Sequence, residues 1–125
     1  MPNIEQELRR MRILIVEDEE DALTLMARKF EFEGFGRVEG VGSGEEAVKH
    51  LAQARTSGQP VSLVLLDLML PGTSGEDVLA KIKKNYHIPV VVVTARSERD
   101  SQRQLLEQGA DDYIVKPFDS DILFL

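Results

Sequence analysis

The sequence predicts an α/β domain, a parallel sheet with helices on both faces, and three observations carry that prediction. Short, mostly β-branched apolar runs recur at residues 13–16, 61–66 and 90–93, too short for helices and too uniformly apolar for half-solvated strands. Between them lie segments with apolar residues at helical spacing, such as Leu23, Met26, Ala27 and Phe30. A polar residue closes each strong strand. Strands and helices alternating in this way specify a parallel sheet, because each crossover helix packs back onto the sheet with right-handed sense.

Residues 1–11 read as an N-terminal extension, polar with scattered apolar Ile4 and Leu8, and the domain proper spans 12–125. The first strand stops at the acidic run Glu17, Asp18, Glu19, Glu20 and Asp21. The helix after it ends at Gly34, a residue suited to a left-handed cap. A short strand is predicted around residues 36–41, then a helix opened by a capping box of Ser43 with Glu46 and carrying Ala47, Val48, Leu51 and Ala52. Residues 56–60 break that helix, and the third strand runs into Asp67. A turn through Pro71, Gly72 and Thr73 leads to Ser74, the N-cap of a helix bearing Val78, Leu79 and Ile82. Pro89 introduces the fourth strand, which ends at Thr94. The next helix is polar, with Leu105 and Leu106 as anchors, and stops at Gly109. Residues 111–115 form the fifth strand, ended by Lys116 and Pro117. His50 and His87 have polar neighbours and no partners at ligand spacing, so both read as surface residues.

Composition narrows the function. The chain has 125 residues, 42% of them hydrophobic, the size and apolar content of one domain with one core. A net charge of -7 repels a phosphate backbone and argues against direct nucleic-acid binding by this segment. The lack of cysteine removes disulfides, thiolate metal sites and cysteine nucleophiles, and accords with a reducing cytoplasm. No apolar run approaches the roughly 20 residues of a membrane-crossing helix. The first residues lack the basic flank and apolar stretch of a secretion signal, so the expectation is a cytoplasmic protein without membrane contact.

Ligands of open α/β sheets sit outside the carboxyl ends of the strands. The residues found there are Glu17 and Asp18, Asp67, Thr94 and Lys116. Three carboxylates brought to one rim repel one another, and the remedies are raised pKa values or a bound cation. Oxygen ligands without His or Cys suit Mg2+. Taken singly, each residue has an ordinary reading. The acids after the first strand favour a helix dipole, Asp67 starts a turn, Thr94 is a β-former, Lys116 is a strand-end cation and Tyr113 is a half-buried strand aromatic. Only their joint occurrence points to a site.

Four segments sharpen that reading: Ile-Leu-Ile-Val-Glu-Asp-Glu before residue 20, Leu-Leu-Asp-Leu-Met-Leu-Pro-Gly around Asp67, Val-Val-Val-Thr-Ala-Arg around Thr94, and Gly-Ala-Asp-Asp-Tyr-Ile-Val-Lys-Pro-Phe around Lys116. In order and spacing they resemble the receiver domain of bacterial two-component response regulators, over about residues 12–121. The resemblance is greatest to the subfamily with a winged-helix DNA-binding output. It implies a three-layer, flavodoxin-like fold with a five-stranded parallel sheet of order 2-1-3-4-5. It also implies a final helix from near Asp119, which would normally run about three turns and is truncated where the chain stops at Leu125.

By the same resemblance, Asp67 accepts a phosphoryl group from a sensor histidine kinase. Asp18, Asp67 and the backbone carbonyl of Met69 would bind Mg2+, with Glu17 acting through a water. Lys116 would pair with one phosphoryl oxygen and Thr94 would hydrogen-bond another. Those roles suit a reaction that depends on an in-line carboxylate and on positive charge around the transferred group. A phosphoryl group adds close to two negative charges and about 1–3 charge-assisted hydrogen bonds. The resemblance also implies the family's switch, with Thr94 drawn inward, Tyr113 rotating into the vacated space and residues 97–115 repacking. The helix after Thr94 is the least apolar of the set and so the least firmly anchored. The resemblance further implies a homodimer through residues 97–125, with Asp111 and Asp112 on its acidic half and Gln102 where a cation is common. Control of a DNA-binding output would lie in a separate domain.

Other classes fit less well. An FMN-binding module would present hydroxyl and glycine donors after the first strand, where this chain has five acids. A metal-dependent phosphatase with an Asp nucleophile would carry a second acid two residues on, where this chain has Met69. The chain therefore reads as a signalling domain acting only on itself, not as an enzyme with outside substrates. An interaction module that never takes phosphate would need none of the acceptor residues, all of which are present.

Overall fold

Strand pairing sets the architecture. A computed structural model describes residues 4–70, 72, 74–94 and 99–115, without the side chains of Glu5, Thr94, Arg99, Asp100, Ser101 and Val115. The elements run α1 (Ile4–Arg10), β1 (Arg12–Val16), α2 (Glu20–Phe32), β2 (Arg37–Val41), α3 (Gly44–Thr56), β3 (Leu63–Asp67), α4 (Gly75–Asn85), β4 (Val90–Thr94), α5 (Arg99–Glu107) and β5 (Asp112–Val115). The five strands form one parallel sheet in the order β2-β1-β3-β4-β5, as the resemblance implied. The expected final helix lies outside the described residues.

The period of two along each strand divides the core. Leu14, Val16, Val64, Leu66, Val90 and Val92 face Leu51 of α3, Val78, Leu79 and Ile82 of α4 and Leu105 of α5. Ile13, Ile15, Leu65 and Val93 point to the other side and meet Met26 and Phe30 of α2. Continuous apolar runs thus serve strands covered on both faces.

Local chemistry marks the helix ends. Ser43 and Ser74 accept hydrogen bonds from the amides of Glu46 and Asp77, each at 3.2 Å, and cap α3 and α4. The capping box at Ser43 is completed one residue early, with Glu46 reaching the Gly42 amide at 3.5 Å. After α2 the chain passes through Gly34 at φ +102°, and the Phe35 amide returns to the Phe30 carbonyl.

Several expectations need correction. In α3 the buried positions are Gly44, Ala47, Leu51 and Ala54, while Ala52 is exposed, because the chain of small residues fits two neighbouring helical stripes and the sheet selects one. Leu105 anchors α5, but Leu106 is 46% exposed and anchors nothing in the described core. His50 is not a free surface residue: its Nε2 lies 3.1 Å from Glu39, which also pairs with Arg12 at 2.7 Å. The extension is tied down as well. The Leu8 carbonyl accepts from the amides of Met11 and Gly36, and Gly36 packs directly on the Arg9 backbone.

Asp111, expected at a dimer surface, is engaged within the chain. Its Oδ2 accepts from the buried Val90 amide at 2.7 Å and from Lys83 Nζ at 2.9 Å. Partial burial works against the charge on Asp111, but the Val90 N–H and Lys83 outweigh it and hold the carboxyl below its usual range. A carboxylate whose folded pKa is depressed stabilises the fold above its unfolded value of about 3.9 and loses that contribution as pH falls through the folded value. In urea unfolding, Asp111→Asn should therefore cost about 1 kcal/mol at neutral pH, a modest amount because the ion pair is partly exposed. The difference from wild type should shrink as the pH is taken below about 4. A constant difference down to acid pH would contradict this account.

Candidate functional site

The register of the sheet assembles the rim. Val16 pairs with Leu66, Asp67 with Val93 and Thr94 with Val115, so β1, β3, β4 and β5 end nearly level. The face of Ile13 and Ile15 continues at Glu17, and that of Leu63 and Leu65 at Asp67. The Glu17 amide extends the ladder to the Val41 carbonyl at 3.0 Å, and the Leu68 amide reaches the Val93 carbonyl at 3.3 Å.

Glu17 and Asp67 are the only charged side chains in the buried class among the described residues, at 2% and 4% exposure. Acids are rarely withdrawn from water without compensation. With exposed Asp18 they form a group in which each residue offers one carboxylate oxygen and these three atoms lie within 4.8 Å of one another. This is an all-oxygen donor set with one side open to solvent. It suits a hard divalent cation such as Mg2+, which keeps waters and binds through few protein carboxylates.

Asp67 is also fixed by the chain after it. Its Oδ1 accepts the Met69 amide at 2.8 Å, an Asx turn that swings the Met69 side chain outward to 65% exposure. Gly75, the first residue of α4, lies against the Leu68 backbone. Sequence reasoning missed Gly75; the only local signal was a poor helix former at a helix start.

Of the other expected residues, Tyr113 is half-buried, packed beside the core on the α3 and α4 side, and its amide donates to Asp112 Oδ1 at 2.8 Å. Thr94 closes β4, opposite Val115. The side chain of Thr94 and the whole of Lys116 lie outside the described residues, as do the dimer-surface residues beyond Val115.

Comparison with known proteins identifies this arrangement. The response regulator receiver domain family matches residues 13–124. The chain belongs to that family. Its relatives include the sensory transduction protein RegX3 of Mycolicibacterium smegmatis, 46% identical over 85% of this chain and 44% of the relative. The DNA-binding response regulator MtrA of Mycobacterium tuberculosis is 38% identical over 87% of this chain and 45% of the relative. The receiver domain thus spans less than half the length of these proteins. In three dimensions it resembles the BeF3-activated receiver domain of Klebsiella pneumoniae RstA, with a TM-score of 0.81, 29% identity and coverage of 90% and 92% of the two chains. A signal receiver domain from Vibrio parahaemolyticus gives 0.82 at 32% identity, covering 92% of this chain and 85% of that one. Receiver domains are signalling modules rather than metabolic enzymes, and they bind Mg2+ at an acidic pocket; here the acidic group is Glu17, Asp18 and Asp67. Among the described residues, no helix is long and apolar enough to cross a membrane.

A cation held by this group in the folded state alone would stabilise the fold by linkage. At a hundredfold excess over Kd the gain is about 2.7 kcal/mol, on the order of 10 °C in melting midpoint for a domain of this size. Calorimetry with and without Mg2+ should show a concentration-dependent rise that chelation reverses and Asp18→Asn largely removes. An unchanged midpoint in wild type at saturating Mg2+ would contradict the site.

Proposed function

We propose that this receiver domain takes a phosphoryl group on Asp67 from the phosphohistidine of a sensor histidine kinase and changes shape in response. The observation that carries the proposal is the convergence of Glu17, Asp18 and Asp67 within 4.8 Å, with Asp67 almost wholly buried at the head of β3. Packing alone gives no reason to keep two like charges there, whereas phosphoryl transfer does.

In the transfer, an Asp67 carboxylate oxygen attacks phosphorus, the phosphorus–nitrogen bond to the kinase imidazole breaks, and the bonding pair returns to that nitrogen. Asp18, Asp67 and the Met69 carbonyl would hold Mg2+, with Glu17 acting through a water. The bound cation supplies positive charge against the phosphoryl oxygens. Lys116 pairs with one of those oxygens and Thr94 donates to another, so that acceptance of phosphate is coupled to the position of Thr94. Tyr113 then moves toward the place Thr94 leaves, and residues 97–115 repack. The same site removes its own phosphoryl group by hydrolysis and turns over no outside substrate.

The relatives point to the downstream step. MtrA is named a DNA-binding response regulator, which supports a DNA-binding output beyond the receiver; cytoplasmic action and a homodimer through residues 97–125 belong to the same proposal. The net charge of -7 fits a receiver that does not touch DNA itself. Residues 1–11 act as an extension and 12–125 as the receiver.

Incubation with acetyl phosphate and Mg2+ should attach one phosphoryl group through a bond labile to hydroxylamine. Labelling should be lost in Asp67→Asn and on chelation. A stable label, or one that survives Asp67→Asn, would refute the assignment.

A further inference from the structure

We infer that Gly75 is a positioning residue for the phosphoacceptor loop, holding Leu68, and through it Asp67 and Met69, by occupying the space any larger residue would need. The inference rests on the assignment of Asp67 above and adds the element that sets its geometry.

Gly75 is buried at the start of α4, and its φ is not positive, so its backbone does not require glycine. Space does. A Cβ added to Gly75 would stand 2.9 Å from both Leu68 Cδ2 and the Leu68 carbonyl oxygen, and closer still to Leu68 Cα. Two of those three atoms are backbone, so no rotamer change removes the clash. Reaching ordinary van der Waals separation requires a relative movement of about 1 Å.

The packing decides which side moves. Helix α4 is locked by Val78, Leu79 and Ile82, which are 1%, 0% and 0% exposed, and by the Ser74 cap. On the other side the chain leaves the sheet after Asp67, and Met69 is 65% exposed. Leu68 is itself 4% exposed and its amide reaches the Val93 carbonyl at 3.3 Å, so the strain passes along the chain to Asp67 and to exposed Met69. Leu68 is joined by one peptide bond to Asp67 and by another to Met69, whose amide holds Asp67 Oδ1. Displacing Leu68 turns the acceptor carboxylate and the Met69 peptide together. A misplacement of about 1 Å at a reacting group slows such chemistry by up to roughly a hundredfold.

The test compares Gly75→Ala with Gly58→Ala. Gly58 has φ +78° and open space around it, so alanine there strains the fold far from the rim without crowding the loop. In each variant, whose folded fraction is checked by circular dichroism, two quantities are read: the rate of Mg2+-dependent labelling by acetyl phosphate over a Mg2+ series, and the hydrogen-exchange protection of the Met69 amide by NMR. Gly75→Ala is expected to lower the rate about tenfold to a hundredfold, to raise the half-saturating Mg2+ concentration and to lose Met69 protection. Gly58→Ala is expected to keep all three near wild type where it is folded. A Gly75→Ala protein with wild-type rate and Met69 protection overturns the inference. So does slowed labelling with Met69 protection intact, or equal losses in Gly58→Ala, either of which would reflect general destabilisation. If wild type takes no label, the function assigned to Asp67 fails, and Met69 protection alone still decides whether Gly75 holds the loop.

Discussion

Glu17 and Asp67 are withdrawn from water and pressed close to Asp18, and the sheet must hold these like charges together. Unit charges at 4.8 Å repel by roughly 3–4 kcal/mol per pair at an effective dielectric near 20, before any counter-charge is added. No local preference of the chain brings them together. Parallel pairing does, because the registers of β1 with β3 and of β3 with β4 leave Glu17 and Asp67 side by side where the ladder ends. The cost is borne by the apolar strands behind them. Leu14, Ile15, Val16, Val64, Leu65 and Leu66 are at most 1% exposed, and each such side chain contributes about 1.5–3 kcal/mol on burial. A core this closed can keep a charged rim in place.

The two ends of the sheet are built differently. At the end where the strands begin, polar side chains complement one another: Arg12 and His50 meet Glu39, while Asp111 joins Lys83 to the Val90 amide. These contacts tie α3 to β1 and β2, and α4 to β4 and β5. At the opposite end Glu17, Asp18 and Asp67 gather instead, three acids at one rim. Helix α5 belongs to neither arrangement. Leu105 is its one buried anchor among the side chains described, which leaves it the element most easily shifted by events at the rim.

What depends on neighbours along the chain was legible in the sequence. The β-branched runs, the Ser43 and Ser74 caps, the Gly34 terminus and the acids closing β1 and β3 follow from local stereochemistry and side-chain period. Interactions across the fold were not. Leu106 and Leu105 are equally apolar, and only the approach of the sheet decides that one is covered. The pairing of His50 with Glu39 joins a helix to an edge strand, and that of Asp111 with Lys83 joins the residue before β5 to a helix; no spacing rule announces either. Gly75 illustrates the same limit, since its need for smallness comes from Leu68 folding back against it. The strand order and the roles of Thr94 and Lys116 came from family resemblance rather than from periodicity.

The most direct test is a crystal structure of the domain with Mg2+ and beryllofluoride, a mimic of the phosphoryl group. The account requires beryllium on the Asp67 carboxylate, the cation on Asp18, Asp67 and the Met69 carbonyl, and the Lys116 amine against a fluoride. Beryllofluoride seated elsewhere, or a cation that bypasses residues 18 and 67, would contradict it.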